Sequence, residues 1–273
     1  MGLVGCAEME QFGVRAIVGP MASGVSSLPG APLAVRARDG VWLRGFVERS
    51  ATPAKGTILL FHGVGANSAF WSDEARALAN SGYDAVAWDA RGHGRSEGFC
   101  SYGARERDDI GEVLDALAVH RLTHPVVLYG YSMGAAVAIQ GAVKDARIDG
   151  VLAIAPFATL DAVIRQVIWA APRKLIDHVI AAAERRARFT VATIRPLDDA
   201  AHLAVPVIIV VGALDERIPL DDERAIARAA SATLVIVPGA NHEDILERCG
   251  AACDNALAAL LRDGSRRFHV QRN

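Results

Sequence analysis

The chain of 273 residues has no uninterrupted apolar run near the roughly 18 residues that a bilayer-spanning helix requires. That excludes a membrane-spanning helix. Cysteine is scarce, with Cys6, Cys100, Cys249 and Cys253 scattered along the length, which argues against a disulfide framework, and no metal-type spacing with histidine accompanies them. Cys249 and Cys253 fall on one helix face and read as buried or idle thiols, with a redox pair as the alternative. Net charge is also small, −2 at pH 7, which argues against a nucleic-acid footprint or a basic membrane surface. A small-molecule partner is the remaining class. No internal repeat, low-complexity tract or linker divides the chain.

At the start, Leu3-Val4-Gly5-Cys6 matches the cleavage box of a bacterial lipoprotein, yet the charged and apolar regions of a signal peptide do not precede it. A cytoplasmic protein is expected, and an envelope lipoprotein is the alternative if the chain begins earlier. Residues 1–32 carry Gly, Pro and Ser without periodicity and read as an extended arm.

From residue 33 onward the pattern is regular. Leu33 to Arg38 and Val41 to Glu48 alternate about Asp39-Gly40, which signals an antiparallel hairpin. Short continuous apolar runs follow at Thr57 to Phe61, Tyr83 to Asp89, Val126 to Gly130, Gly150 to Pro156, Val205 to Gly212 and Thr233 to Pro238. Unbroken apolar strands are buried on both faces, so a mostly parallel sheet of about eight strands with helices on both sides is expected, an α/β fold. Helices are expected at Asp73 to Asn80, Arg105 to Arg121, Met133 to Val143, Asp221 to Ala230 and Glu243 to Leu261. Thr159 to Leu203 departs from the rhythm and reads as a small helical cover within a single domain, 33–273.

The most informative segment is Gly130-Tyr131-Ser132-Met133-Gly134, between an apolar strand and a run of small residues. A strand, a very tight turn and a helix put Ser132 at the apex, beside the unpaired N–H groups of a helix N-terminus. A serine hydroxyl needs a base, and the base needs an anion to orient it. Asp215 stands just past the strand Val205 to Val211, and His242 just past Leu234 to Val237. Residues beyond the carboxyl ends of parallel strands converge on one edge of the sheet, so Ser132, Asp215 and His242 can meet there. Asp161 and Asp89 are rivals for the acid, though Asp161 is better placed as a helix cap. Backbone N–H groups of Met133 and of Val64, in His62-Gly63-Val64-Gly65, are the candidate donors to an oxyanion. His62 is expected to orient that loop rather than to react.

Together with Phe61-His62-Gly63 and Asp89-Ala90-Arg91-Gly92-His93-Gly94-Arg95-Ser96, these motifs resemble the α/β-hydrolase superfamily, from about residue 33 onward. The resemblance implies the eight-stranded sheet, the Ser–Asp–His order, the oxyanion pair and a structural role for Asp89, Arg91 and His93. The compact cover and Pro196-Leu197-Asp198-Asp199-Ala200 resemble the serine aminopeptidase-like and Bem46-like branches. A serine esterase acting on a small or lipid-like ester is therefore expected, with no cofactor or metal. Peptidase, thioesterase, acyltransferase and non-catalytic binding module are the alternatives. Phe70, Trp71, Phe157 and Trp169 are candidates for an apolar acyl site or for core packing.

Overall fold

The computed structural model describes residues 2–21, 28–119 and 122–271, with side chains left aside at 2–7, 9 and 265–271. In chain order the elements are α1 (Gly2–Val18), β1 (Ala31–Arg36), β2 (Trp42–Glu48), β3 (Thr57–Phe61), α2 (Ser72–Asn80), β4 (Asp84–Trp88) and α3 (Glu106–Ala118). Then come β5 (Val126–Tyr131), α4 (Met133–Ala142), β6 (Gly150–Ile154), α5 (Leu160–Val167), α6 (Arg173–Ala187) and α7 (Pro196–Ala200). The last are β7 (Val207–Gly212), α8 (Leu220–Ala229), β8 (Thr233–Val237) and α9 (Ile245–Gln271). The strands form one eight-stranded sheet in the order β1-β2-β4-β3-β5-β6-β7-β8. Only β1–β2 and β2–β4 pair antiparallel. The hairpin turns at Asp39-Gly40, with Arg36 opposite Trp42.

Apolar residues fill successive positions of each central strand because the sheet is covered on both faces. Leu59 and Phe61 of β3 pack with α3, α4 and α8, whereas Ile58 and Leu60 pack with α2 and α9. Ile58, Leu59 and Leu60 are fully buried, and each such side chain contributes about 1.5–3 kcal/mol relative to exposure. The parallel strands thus send every crossover over the sheet and leave their carboxyl ends on one rim.

Two expectations are corrected here. The amino-terminal segment is not an extended arm: residues 2–18 form α1, a helix that lies against α6 and shares a third apolar cluster with it, including Ile17, Val18, Ile176 and Val179. Its three glycines conceal a helix supported by tertiary contact rather than by propensity. Cys249 and Cys253, expected as idle thiols, are joined in a disulfide across the bend that α9 makes at Gly250. The cover consists of α5 and α6, while α7 turns back to the sheet, where Leu197 and Ala200 join the main core. Among the described residues no helix is long and apolar enough to cross a membrane.

The fold depends on one close approach. A Cβ at Gly134 would lie 2.3 Å from the Phe61 carbonyl oxygen, and one at Gly130 would lie 2.4 Å from the Gly134 oxygen. Only glycine lets α4 descend onto β3 and β5 at that point. Gly134→Ala should therefore cost about 1–3 kcal/mol, as overpacking does. Urea denaturation followed by circular dichroism measures it, and an unchanged midpoint would show that the backbone yields at no cost.

Candidate active site

Ser132 sits between β5 and α4 with φ 54° and ψ −117°, a left-handed conformation that costs a non-glycine residue about 1–3 kcal/mol. The surroundings hold it there. Its N–H donates to the Ile154 carbonyl of β6 at 2.8 Å, and its own carbonyl accepts from Ala135 and Ala136 of α4 at 3.0 and 3.1 Å. The side chain is left half-exposed on the rim of the sheet.

His242 follows β8 and reaches across that rim. Its Nδ1–H donates to Asp215 Oδ2 at 2.7 Å, and its Nε2 accepts from the Ser132 hydroxyl at 3.0 Å. The carboxylate contact fixes the tautomer, because a ring nitrogen that donates to Asp215 leaves the other free to accept. Both partners are buried, with side-chain exposures of 5% for His242 and 1% for Asp215. Asp215 is held in turn: Oδ1 accepts from the N–H groups of Arg217 and Ile218 at 2.9 and 2.8 Å. The two loops are tied to each other by Leu214 N–H donating to Ala240 O at 2.8 Å and by the Arg217–Glu243 ion pair. The structure thus brings Ser132, Asp215 and His242 together from three separate strand ends.

The rival carboxylates are engaged elsewhere. Asp161 pairs with Arg165 at 2.9 Å on the exposed side of α5 and accepts no capping bond. Asp89 is fully buried and accepts from Ser68 N–H and Arg95 N–H, both at 2.7 Å. His62 donates from Nδ1 to Gly63 O at 2.8 Å and accepts at Nε2 from Ala90 N–H at 2.9 Å, which orients the loop after β3. Burial drives its pKa down to about 4, so it is neutral where it bridges. Arg91 pairs with Asp109 and Asp39, at 2.6 and 2.5 Å.

The loop held by His62 passes beside Ser132: a Cβ at Gly63 would lie 3.5 Å from the Ser132 Cβ. Among the described residues neither the Val64 N–H nor the Met133 N–H has an acceptor. Both residues line a cavity of about 820 Å³ that opens over Ser132. Its walls are almost wholly apolar, with Phe157, Leu160 and Ile164 near the sheet and the helices of the cover beyond. Sequence reasoning placed Phe157 correctly as a lining candidate but not the other aromatics. Trp71 packs in the core on Tyr129, Phe70 stacks on Tyr131, and Trp169 stands 78% exposed outside the lining.

Two residues went unforeseen. Tyr131 lies between Gly130 and the serine, and its hydroxyl donates to the His242 carbonyl at 2.6 Å, tying the base's loop to the elbow. Burial pushes that phenol up to about 12, so it remains a donor. Glu223, at the start of α8, is fully buried and neither carboxylate oxygen has a partner among the described residues. Burial, with the nearby Asp215 charge, pushes its carboxyl up to about 9.

Comparisons with known proteins agree with this architecture. Residues 52–187 match the family model described as serine aminopeptidase, S33, a stretch that holds the Ser132 elbow and ends before Asp215 and His242. A protein of Variovorax paradoxus (strain S110) assigned as carbamate hydrolase RutD is 35% identical over 97 residues, 34% of this chain and 35% of its own. The thiohydrolase apmlB of Arthrinium phaeospermum is 30% identical over 126 residues, 43% of this chain and 40% of its own. The matched stretch thus spans about two-fifths or less of these relatives' length. Among solved structures, the Pyrococcus furiosus esterase PF2001 superposes with a TM-score of 0.72 at 20% identity, covering 90% of this chain and 97% of that one. The enol-lactonase of Burkholderia xenovorans LB400 gives 0.64 at 20% identity, with 84% and 100% covered. The fold is that of an α/β-hydrolase. The resemblance of the motifs to that superfamily is borne out.

Glu223 makes the neighbourhood of Asp215 sensitive to pH in a defined direction. Its folded pKa lies above the ordinary carboxylate value, so its contribution to stability is complete below about pH 4.5 and is lost as pH rises through about 9. Glu223→Gln, which stays neutral, should be more stable than the parent at pH 8, the gap growing by up to about 1.4 kcal/mol per pH unit between pH 5 and pH 8. Urea midpoints across that range check it, and parallel stability curves for the two proteins would refute it.

Proposed function

We propose that this protein is a serine hydrolase that cleaves a carboxylic ester with an apolar acyl group, through an acyl-enzyme on Ser132. The observation that carries the reading is the imidazole of His242 bridging the Ser132 hydroxyl and the Asp215 carboxylate at the floor of an apolar cavity. Ser132 Oγ attacks the ester carbonyl carbon as His242 Nε2 takes its proton, and Asp215 stabilises the imidazolium that forms. The carbonyl oxygen becomes an oxyanion, which the Val64 and Met133 N–H groups would receive. Donors fixed in the backbone are already oriented when that charge develops. Collapse expels the alcohol, which takes the proton from His242. Water then gives a proton to the same nitrogen as its oxygen bonds to the acyl carbon, and the acid leaves as the bond to Ser132 Oγ breaks and His242 returns that proton to the serine.

The cavity supports an ester or thioester of an apolar acid over a peptide. Among its lining residues Glu8 is the one carboxylate, and a charged peptide end would otherwise meet hydrocarbon. The relatives and structural neighbours named above, a carbamate hydrolase, a thiohydrolase, an esterase and an enol-lactonase, are all hydrolases by name, which supports this class of reaction.

A fluorophosphonate probe should label Ser132, and Ser132→Ala should lose both labelling and at least about a thousand-fold of p-nitrophenyl butyrate turnover while melting like the parent. Undiminished turnover in that variant would refute the assignment. Tyr131→Phe, which loses the bond to the His242 loop, should lower kcat about three- to ten-fold with little change in KM. Steady-state kinetics on the same ester separates the two constants, and an unchanged kcat would show that the loop needs no such tie.

A further inference from the structure

The cavity over Ser132 has three helical walls, and one of them, α1, lies outside both the sheet and the cover inserted after β6. Phe12, Gly13, Ala16 and Ile17 of α1 line it together with Ile164 of α5 and Val179 of α6. The helix is fastened rather than draped. Tyr102 O–H donates to Ile17 O at 2.7 Å, Cys100 N–H to Val18 O at 3.0 Å, and Met21 N–H to Gly92 O at 2.7 Å. These bonds attach its carboxyl end to the segment between β4 and α3. Further along, Glu10 pairs with His178 of α6 at 2.8 Å. Between them the two helices touch so closely that a Cβ at Gly13 would lie 2.8 Å from Val179 Cγ1.

Such an arrangement makes the width of the cavity depend on residues far from the reacting atoms. Gly13 sets how near α1 approaches α6, and Ala16, one turn on, presents a single methyl to the cavity. At about 820 Å³ the space is near the upper end of the ~300–1,000 Å³ usual for small-molecule sites, and far exceeds what an acetyl or butyryl group needs. Each methylene buried in apolar surroundings is worth roughly a four-fold gain in binding. The wall therefore bears directly on which acyl chain is preferred.

We propose that α1 is the specificity wall of the acyl site, and that Gly13 and Ala16 admit an extended, long-chain acyl group. This rests on the serine-hydrolase reading above and adds to it the substrate class and the residues that select it.

The test uses p-nitrophenyl esters from acetate to hexadecanoate, with the ratio of kcat/KM for dodecanoate over acetate as its readout. The unsubstituted protein should favour dodecanoate. Ala16→Trp places an indole in the wall and should lower that ratio at least ten-fold, with the optimum moving to shorter chains. Ala16→Leu should give an intermediate shift, and it carries the test if the tryptophan variant does not fold. A ratio within two-fold of the parent in folded variants would overturn the proposal. A second arm needs no turnover: binding of the fluorescent fatty acid cis-parinaric acid, measured in the Ser132→Ala background with and without Ala16→Trp. Binding weakened at least ten-fold by the tryptophan supports α1 as the wall even if no ester is cleaved, in which case the hydrolase reading alone fails. Short esters cleaved by a protein that binds no parinaric acid would leave the hydrolase reading standing and overturn this one.

Discussion

The site exists because a helix can touch a sheet at one point without side chains between them. Where α4 crosses β3 and β5, Gly130 and Gly134 replace what would be steric collisions with backbone contact. The chain can then turn from strand to helix within a single residue, Ser132, held at φ 54°. The strain, about 1–3 kcal/mol, is small against a core in which every residue of β3, β4, β5 and β6 but Tyr131 is buried. The tight turn raises the hydroxyl above the rim and leaves the Met133 N–H, which lines the cavity beside it, without an acceptor among the described residues. With a wider turn the serine would sink into the small-residue face of α4, and both consequences would vanish together.

The other two members of the constellation are placed by a second close approach together with backbone bonds. Asp215 and His242 sit in loops that meet where Gly212 passes Ala240, a Cβ at Gly212 lying 2.6 Å from the Ala240 oxygen, and hydrogen bonds hold the loops there. Leu214 bonds to Ala240, Asp215 accepts from the N–H groups of Arg217 and Ile218, and Tyr131 reaches from the elbow to the His242 carbonyl. Each carboxylate and ring nitrogen has thereby a single partner arrangement. Glu223 fits the same logic from the opposite side: the buried region behind Asp215 tolerates one carboxylate charge, and the second carboxyl retains its proton.

The parts legible in the sequence are those encoded over short distances. Two-sided burial leaves continuous apolar runs, so β3 is matched residue for residue and the other central strands to within two. The elbow and the two loop residues announce themselves by position after a strand. What resisted reading was encoded by contact between distant segments. Helix α1 carries glycine at positions 2, 5 and 13, which signals a loop locally, yet Gly13 is where α6 requires a close neighbour. Tyr131 was visible as the second residue of the motif, but the direction of its hydroxyl depends on a loop 111 residues away. The same holds for Trp71 and Phe157: an aromatic in the right region looks identical whether it faces the core or the cavity, and only the fold separates them.

This difference in encoding separates reactivity from selectivity within one molecule. The hydroxyl, imidazole and carboxylate are positioned by the sheet, whose strand order and spacing change little when loops and helices around it change. The cavity over Ser132 is walled by α1, α5 and α6, none of which contributes a strand or carries Ser132, Asp215 or His242. A substitution in those helices can reshape the cavity by a methyl or an indole while the distances of 2.7 and 3.0 Å around His242 stay as they are. Conversely, the sheet can hold those distances over many different covers. It follows that motif similarity in the sheet carries information about the chemistry of attack on a carbonyl and little about which carbonyl compound arrives. On the proposal made above, the second kind of information lies in the helical walls, with Gly13, Ala16 and Val179 at the seam where two of them meet.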